Sequence, residues 1–201
     1  MRRVEPESRD VPFLKHGDVD PERGAHFGKG PVRRQLVTLL QLGQREPHEP
    51  RTGSAGGIAP AFSEEHVAGA GDLARRVEDQ GFSGMLYTET GQVPWMQIAA
   101  AAMAAPSLTF TTGIAVAFPR SPMVSAQVAW ELAGETNGKF RLGLGSQVKG
   151  HVVRRYSADF DRPARRLLDY VLAVKACFRA FRGDERLSHE GEFYNLSLLP
   201  D

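Results

Sequence analysis

Asn137-Gly138-Lys139-Phe140-Arg141-Leu142-Gly143-Leu144-Gly145-Ser146 is the stretch on which the fold turns. Gly138 lies just past the end of a helical segment. Phe140 to Leu144 has the length and apolar content of a strand, and Gly143, Gly145 and Ser146 break it into a turn. Upstream, Pro122 opens a helix with Val124, Val128, Ala129 and Leu132 on one face. Before it comes Leu108 to Val116, a strand rich in β-branched residues. Further back, Pro94 opens an alanine-rich helix to about Ala104, preceded by the strand Met85 to Thr88. Ser63, Glu64 and Glu65 then start a helix carried by Val67, Ala70, Leu73, Ala74 and Val77 and closed by Gly81.

Downstream, Asp161 and Pro163 open a long helix to about Phe181. Leu167, Leu168, Val171, Leu172, Val174 and Phe178 supply its apolar stripe, and Cys177 reads as a small buried hydrophobe within it. Leu187 to Leu198 alternates around Gly191 and predicts a short hairpin. Leu36 to Leu40 reads as the first strand, and residues 43–61 as a long Gly/Pro-rich loop. Residues 1–33 are charged and rich in Pro and Gly, and read as a poorly ordered leader before a domain over 34–201. Strands and helices thus alternate in four βα units, the signature of an α/β fold with a parallel sheet. That is half of a (β/α)8 TIM barrel or a small doubly wound sheet. The 201 residues are short for a closed barrel, which takes about 250.

Composition narrows the function classes. A net charge of +1 gives no reason to expect nucleic acid or an anionic membrane as partner. No apolar run approaches the roughly 20 residues of a membrane span, and the first ten residues lack the core of a secretory signal. The expectation is a cytoplasmic protein. The single cysteine cannot form an internal disulfide, and His151 has no second ligand at metal-binding spacing, so no metal site is expected.

In either α/β fold, ligands bind at the carboxyl ends of the strands. Four segments fall there: the loop after Leu40, Glu89 to Gln92, Ala115 to Arg120, and Gly143 to Lys149. Glu89 reads as a solvated loop carboxylate, or as a group that orients a substrate or accepts a ring N–H. Arg120 reads as an anion ligand or as a salt-bridged residue near Pro122. Gly143 and Gly145 lack the third glycine of a dinucleotide fingerprint. Without Cβ atoms they could let a flat ring approach, with Ser146 donating a hydrogen bond to it. Lys149, His151, Arg154 and Arg155 form a basic patch, either an anion site or a solvated helix face. Trp95 and Trp130 fall in helices and read as core or interface.

From about Phe62 to Pro200 the sequence resembles the luciferase-like monooxygenase superfamily. The resemblance rests on four motifs in order: Ala74 to Phe82 leading into Tyr87-Thr88-Glu89; Thr112 to Val116 followed by Pro119 to Pro122; Asn137 to Ser146; and Gly191-Glu192-Phe193-Tyr194. Gly145-Ser146-Gln147-Val148-Lys149 is most similar to the subgroup that uses the deazaflavin coenzyme F-420. The resemblance implies a partial TIM barrel and an oxidoreductase or monooxygenase using F-420 or FMN on a small organic substrate. It implies Glu89 and Thr90 as catalytic residues, and Ala115, Val116, Gly143, Gly145 and Ser146 as the cofactor platform. It also implies a non-proline cis peptide at Ala115–Val116. Thr90 stands where several deazaflavin-using members have a histidine. Family members continue through four more strands, whose segments bind the cofactor phosphate, so cofactor binding by this chain alone should be weak or absent. The alternative is an inactive remnant or interaction module that dimerises through open barrel edges.

Overall fold

The computed structural model describes residues 37–41, 57–61 and 66–200, of which 37–41, 60 and 61 are described as backbone only. Ser63, Glu64, Glu65 and the leader over 1–33 lie outside the described residues. The parallel sheet begins with β2 (Ile58–Ala61), followed by α1 (Val67–Asp79), β3 (Gly84–Tyr87), α2 (Pro94–Ala104) and β4 (Thr109–Thr112). Then come β5 (Ala115–Val116), α3 (Pro122–Glu135), β6 (Phe140–Gly145), α4 (Lys149–Tyr156) and α5 (Pro163–Phe181). The hairpin β7 (His189–Glu190) and β8 (Asn195–Leu196) closes the described chain as an antiparallel pair. Strands β2, β3, β4 and β6 run parallel and in order, and β5 also pairs with β6 in parallel. This is an α/β fold of four βα units, a partial TIM barrel.

The first unit differs from the sequence expectation. β1 (Val37–Gln41) is a strand, but it runs antiparallel to β6 at the opposite end of the sheet from β2. The first parallel strand is Ile58–Ala61, inside the stretch expected to be loop. Pro60 hid it: proline lacks an N–H and is tolerated only on an edge strand, and β2 is an edge. The register Val37↔Gly145 and Gln41↔Arg141 also sends the chain away after β1 at the amino end of β6. The loop after Leu40 therefore does not leave β1 at the strands' carboxyl ends.

The expected strand Leu108 to Val116 is interrupted. Phe110 and Thr111 pair with Phe140 and Arg141, and pairing resumes at Ala115↔Leu144 and Val116↔Gly145. Four steps on one strand thus face three on the other, a bulge. The cis peptide lies inside it at Gly113–Ile114, not at Ala115–Val116. Thr112 bridges the gap: its hydroxyl accepts from Gly143 N–H and donates to Gly143 O, both at 2.8 Å.

The sheet has two unlike faces, because strand side chains alternate. Met85, Tyr87, Phe110, Phe140, Leu142 and Leu144 are buried in one core with residues of α1, α2, α3 and α5. Gly71 of α1 lets the helix layer close up, since a Cβ there would sit 3.1 Å from Ala104 Cβ on α2. Ala129 and Leu132 of α3 and Leu167, Val171, Val174, Cys177 and Phe178 of α5 are buried as expected, but Val124, Leu168 and Leu172 are 47%, 60% and 47% exposed, while Ser125, Ala126 and Tyr170 face the core in addition. Trp130 packs on Phe178 and Phe181, as the core reading of that residue requires. The other face carries Leu86, Thr111, Gly113, Arg141, Gly143 and Gly145.

Candidate functional site

Three segments meet at the carboxyl ends of β3, β5 and β6. The first follows Tyr87 and carries Glu89, the second runs from Val116 to Arg120, and the third starts at Gly145. Ala117 N–H donates to Gly145 O at 2.9 Å and Gly113 N–H to Tyr87 O at 2.7 Å, so the three are tied by backbone. Glu89, Val116 and Ser146 thus share one rim.

Glu89 is not a solvated loop residue. Its side chain is 2% exposed, and the Arg120 side chain is 16% exposed. Glu89 Oε2 accepts from Val116 N–H at 2.7 Å and from Arg120 Nη1 at 2.8 Å. Arg120 Nη2 donates to Oε1, which makes the pair bidentate, and Nη1 also donates to Val116 O at 2.8 Å. The guanidinium lies over the Trp95 ring, 5.7 Å from its centroid. Burial works against the charged guanidinium, yet the hydrogen bond and charge of Glu89 outweigh it and leave the Arg120 pKa raised. Of the two readings of Arg120, the salt-bridged one holds.

The remaining expected site residues divide. Ala115 and Val116 are buried and paired with Leu144 and Gly145. Ser146 is buried, and its hydroxyl donates to Gln147 O at 3.2 Å. Thr90 is exposed on the segment after Glu89. Gly143 is tied down by Thr112. Gly145 does require the absence of a Cβ, but the atoms that approach it belong to Ile114, whose Cδ1 would lie 2.6 Å away. A planar ligand would therefore meet Ile114 at that point rather than the bare glycine. The basic patch forms α4, with Lys149, Arg154 and Arg155 exposed, as the helix-face reading expects. His151 Nδ1 is enclosed without a hydrogen-bond partner among the described residues.

A second polar cluster escaped the sequence reading. Asp169, on the buried side of α5, accepts from Phe193 N–H at 2.6 Å and Tyr194 N–H at 3.1 Å, and meets His189 Nε2 at 2.8 Å. It fastens the β7–β8 hairpin to the domain. Gly191 is obligatory there, because a Cβ would fall 1.9 Å from Asp169 Oδ1. Beside it Arg166 donates to Tyr194 Oη at 3.1 Å and lies against the Phe118, Phe193 and Tyr194 rings. Phe118 belongs to the rim segment, so hairpin and rim are in contact through Arg166. The signal in the sequence was an acidic residue set among apolar helix positions, with a glycine in the following hairpin.

The ionic groups of this rim, Glu89 and Arg120, are paired with each other, and buried Ile114, Val116 and Ser146 belong to the same strand ends. Among the described residues no group of three or more His, Cys, Asp or Glu could hold a metal, and no helix is long and apolar enough to cross a membrane.

Comparison with known proteins accords with this geometry. Uncharacterized proteins of Mycobacterium tuberculosis and Mycobacterium bovis are each 37% identical over 133 residues, 66% of this chain and 39% of theirs. The chain thus spans well under half the length of these relatives. Among solved structures, the monooxygenase RslO1 from Streptomyces bottropensis superposes with a TM-score of 0.59 at 18% identity, over 71% of this chain and 48% of that one. The FMN complex of the oxygenating constituent of 3,6-diketocamphane monooxygenase from Pseudomonas putida gives 0.55 at 18%, over 73% and 43%. The coenzyme F-420 dependent tetrahydromethanopterin reductase from Methanopyrus kandleri gives 0.58 at 16%, over 71% and 44%. At such identities these structures speak to the fold. The family model of the luciferase-like monooxygenases matches residues 43–201, and the chain belongs to that family.

Proposed function

We propose that the rim formed by Val116, Gly145, Ser146 and the segment around Glu89 seats the ring of FMN or coenzyme F-420, in an oxidoreductase acting on a small organic substrate. The convergence of these residues at the carboxyl ends of the parallel strands carries the reading, since α/β folds of this kind bind ligands there. When bound, the ring supplies the redox chemistry, hydride transfer or activation of oxygen. The chain's own residues seat and enclose it. Glu89 and Arg120 act as positioning residues: both carboxylate oxygens are engaged, and the pair holds the Val116 backbone that the ring would rest on. Ser146 offers a hydroxyl to a ring heteroatom, and Ile114 and Val116 exclude water from one ring face. Thr90 is an exposed residue of this segment and is the candidate contact to substrate.

Phosphate-free rings test this independently of any segment that binds the phosphate. Lumiflavin and a 5-deazaflavin analogue should each be titrated into the purified chain and followed by fluorescence. Saturable quenching, lost in Gly145→Leu and weakened in Ser146→Ala, is expected. If a well-folded chain quenches neither ring, the rim is not a ring site. FMN and F-420 themselves, titrated in parallel, then show which ring the rim prefers.

A further inference from the structure

We propose that Tyr194 is a positioning residue for the rim: from the β7–β8 hairpin it holds the segment from Phe118 to Ser121, and with it the Glu89–Arg120 clamp. The effect on ring binding rests on the reading given above, whereas the effect on the clamp is independent of any ligand. Gly191-Glu192-Phe193-Tyr194 takes no part in the strand ends, yet two chains of contact run from its last residue to the rim. The Tyr194 backbone is itself placed by Asp169, which accepts its N–H at 3.1 Å.

The first chain passes through Arg166. Its Nε donates to Tyr194 Oη at 3.1 Å, and its guanidinium carbon lies 5.4 Å from the centroid of the Phe118 ring, a cation–π contact. Phe118 is buried inside a turn that Arg120 N–H closes on Ala117 O at 3.0 Å. The second chain passes through Tyr170, which is fully buried and meets the Tyr194 ring edge-on with centroids 5.3 Å apart. Its hydroxyl donates to Ser121 O at 3.2 Å and meets Ser125 Oγ at 2.6 Å. Ser121 caps α3 and directly follows Arg120. The segment is thus gripped at Phe118 and at Ser121, and Arg120 lies between the grips. Its guanidinium must keep its place to reach both Glu89 oxygens and Val116 O. Close-packed interiors transmit a shift rather than absorb it, so a change at Tyr194 reaches the clamp.

Trp95 reports on the clamp, because the Arg120 guanidinium lies 5.7 Å from its ring centroid. Trp130 is the other tryptophan, so a Trp130→Phe background leaves Trp95 emission alone. In that background Tyr194→Phe keeps the edge contact to Tyr170 and removes the acceptor for Arg166. Tyr170→Phe keeps the ring and removes the donor to Ser121. Each should red-shift Trp95 emission and raise its quenching by acrylamide, and the double variant should do so more than either. Lumiflavin affinity should fall roughly tenfold in the double variant, within the range for residues that couple to a site without touching its ligand. Each change removes a single oxygen, and circular dichroism melts identify the temperature at which all variants are folded. Trp95 emission unmoved in both folded single variants overturns the proposal. So does a shift that only tracks the loss of helical signal, because the tyrosines would then be merely structural. If the wild type binds no lumiflavin, the ring reading falls, and the Trp95 signal still decides whether Tyr194 positions the clamp.

Discussion

Glu89 and Asp169 are two buried carboxylates that do similar work in different places. Each lies beside a segment distant in sequence and accepts backbone N–H groups from it: Val116 for Glu89, and Phe193 and Tyr194 for Asp169. Each also has a side-chain partner, Arg120 in one case and His189 in the other. A buried carboxylate is tolerable only with such donors, and charge-assisted bonds are the strong ones. The partners set the two apart. Arg120 is charged at every accessible pH, so the cationic half of the rim pair does not depend on protonation. His189 is charged only when protonated, so the hairpin rests chiefly on two backbone donors. The rim is fixed electrostatically, and the hairpin is fixed by backbone hydrogen bonds and close fit.

The largest effect should come from breaking the rim pair. Glu89→Ala strands Arg120 in a largely buried position and should cost about 3–5 kcal/mol in urea denaturation. Glu89→Gln keeps an acceptor for Val116 N–H and should lose less. A cost for Glu89→Ala below about 1 kcal/mol, the value of an exposed pair, would show that the clamp does not hold the rim. The hairpin should answer more mildly. Asp169→Asn keeps an oxygen acceptor but removes the charge from its bonds, and should cost about 1.5–3 kcal/mol. Limited proteolysis should then cut between residues 183 and 197 while the sheet stays intact. Uniform digestion of the whole chain would mean that hairpin and sheet unfold as one, and the contrast between the two anchors would fail.

Gly191→Ala sharpens the same contrast without touching a charge. Its Cβ would sit 1.9 Å from Asp169 Oδ1, so the turn or the carboxylate must move. The expected cost is about 1–3 kcal/mol, as for other overpacked positions. In the double variant with Asp169→Asn the two costs should not add, because both act on one contact. Additivity would place the strain elsewhere in the hairpin.

The sequence showed the repeating units but not every strand. Elements with a strong period were legible: α1, α2, α3, α5, β3, β6 and the hairpin all stand close to where apolar spacing and Pro and Gly punctuation put them. β2 was hidden because an edge strand tolerates Pro60 and carries little pattern. The direction of β1 was hidden because pairing partners depend on tertiary contacts that spacing does not encode. At the rim, the positions of Glu89, Val116 and Ser146 were legible from the strand ends. The engagement of Glu89 with Arg120 was not, since the two lie 31 residues apart and only the fold brings them together. Asp169 was overlooked for a related reason. Two of its partners are backbone N–H groups, which leave no residue-type signature of their own, and its side-chain partner His189 lies 20 residues away, so only the acidic residue among apolar helix positions hinted at it.

Between the two carboxylates, α5 carries groups whose protonation the fold enforces, and they supply the smallest effect. Tyr170 Oη bonds Ser125 Oγ at 2.6 Å on the rim side, and the Tyr170 ring meets Tyr194 edge-on toward the hairpin. Burial raises the Tyr170 pKa above its ordinary value, and burial pushes the Cys177 thiol up to about 11 from 9.0. Both groups are neutral when protonated. With the folded pKa above the unfolded one, the unfolded chain releases its proton first as pH rises. The stabilisation is therefore complete below the unfolded value and is lost as pH climbs through the folded one. For Cys177 that window runs from 9.0 to about 11. The wild type should lose about 1 kcal/mol more than Cys177→Ala when urea midpoints at about pH 8 and about pH 10 are compared. Tyr170→Phe should flatten the profile only above about pH 10, because its window opens at 10.0, higher than that of the thiol. Equal alkaline losses in the wild type and Cys177→Ala would mean that the thiol is reached by water in the native state, and that the α5 seam between rim and hairpin is looser than the two anchors imply.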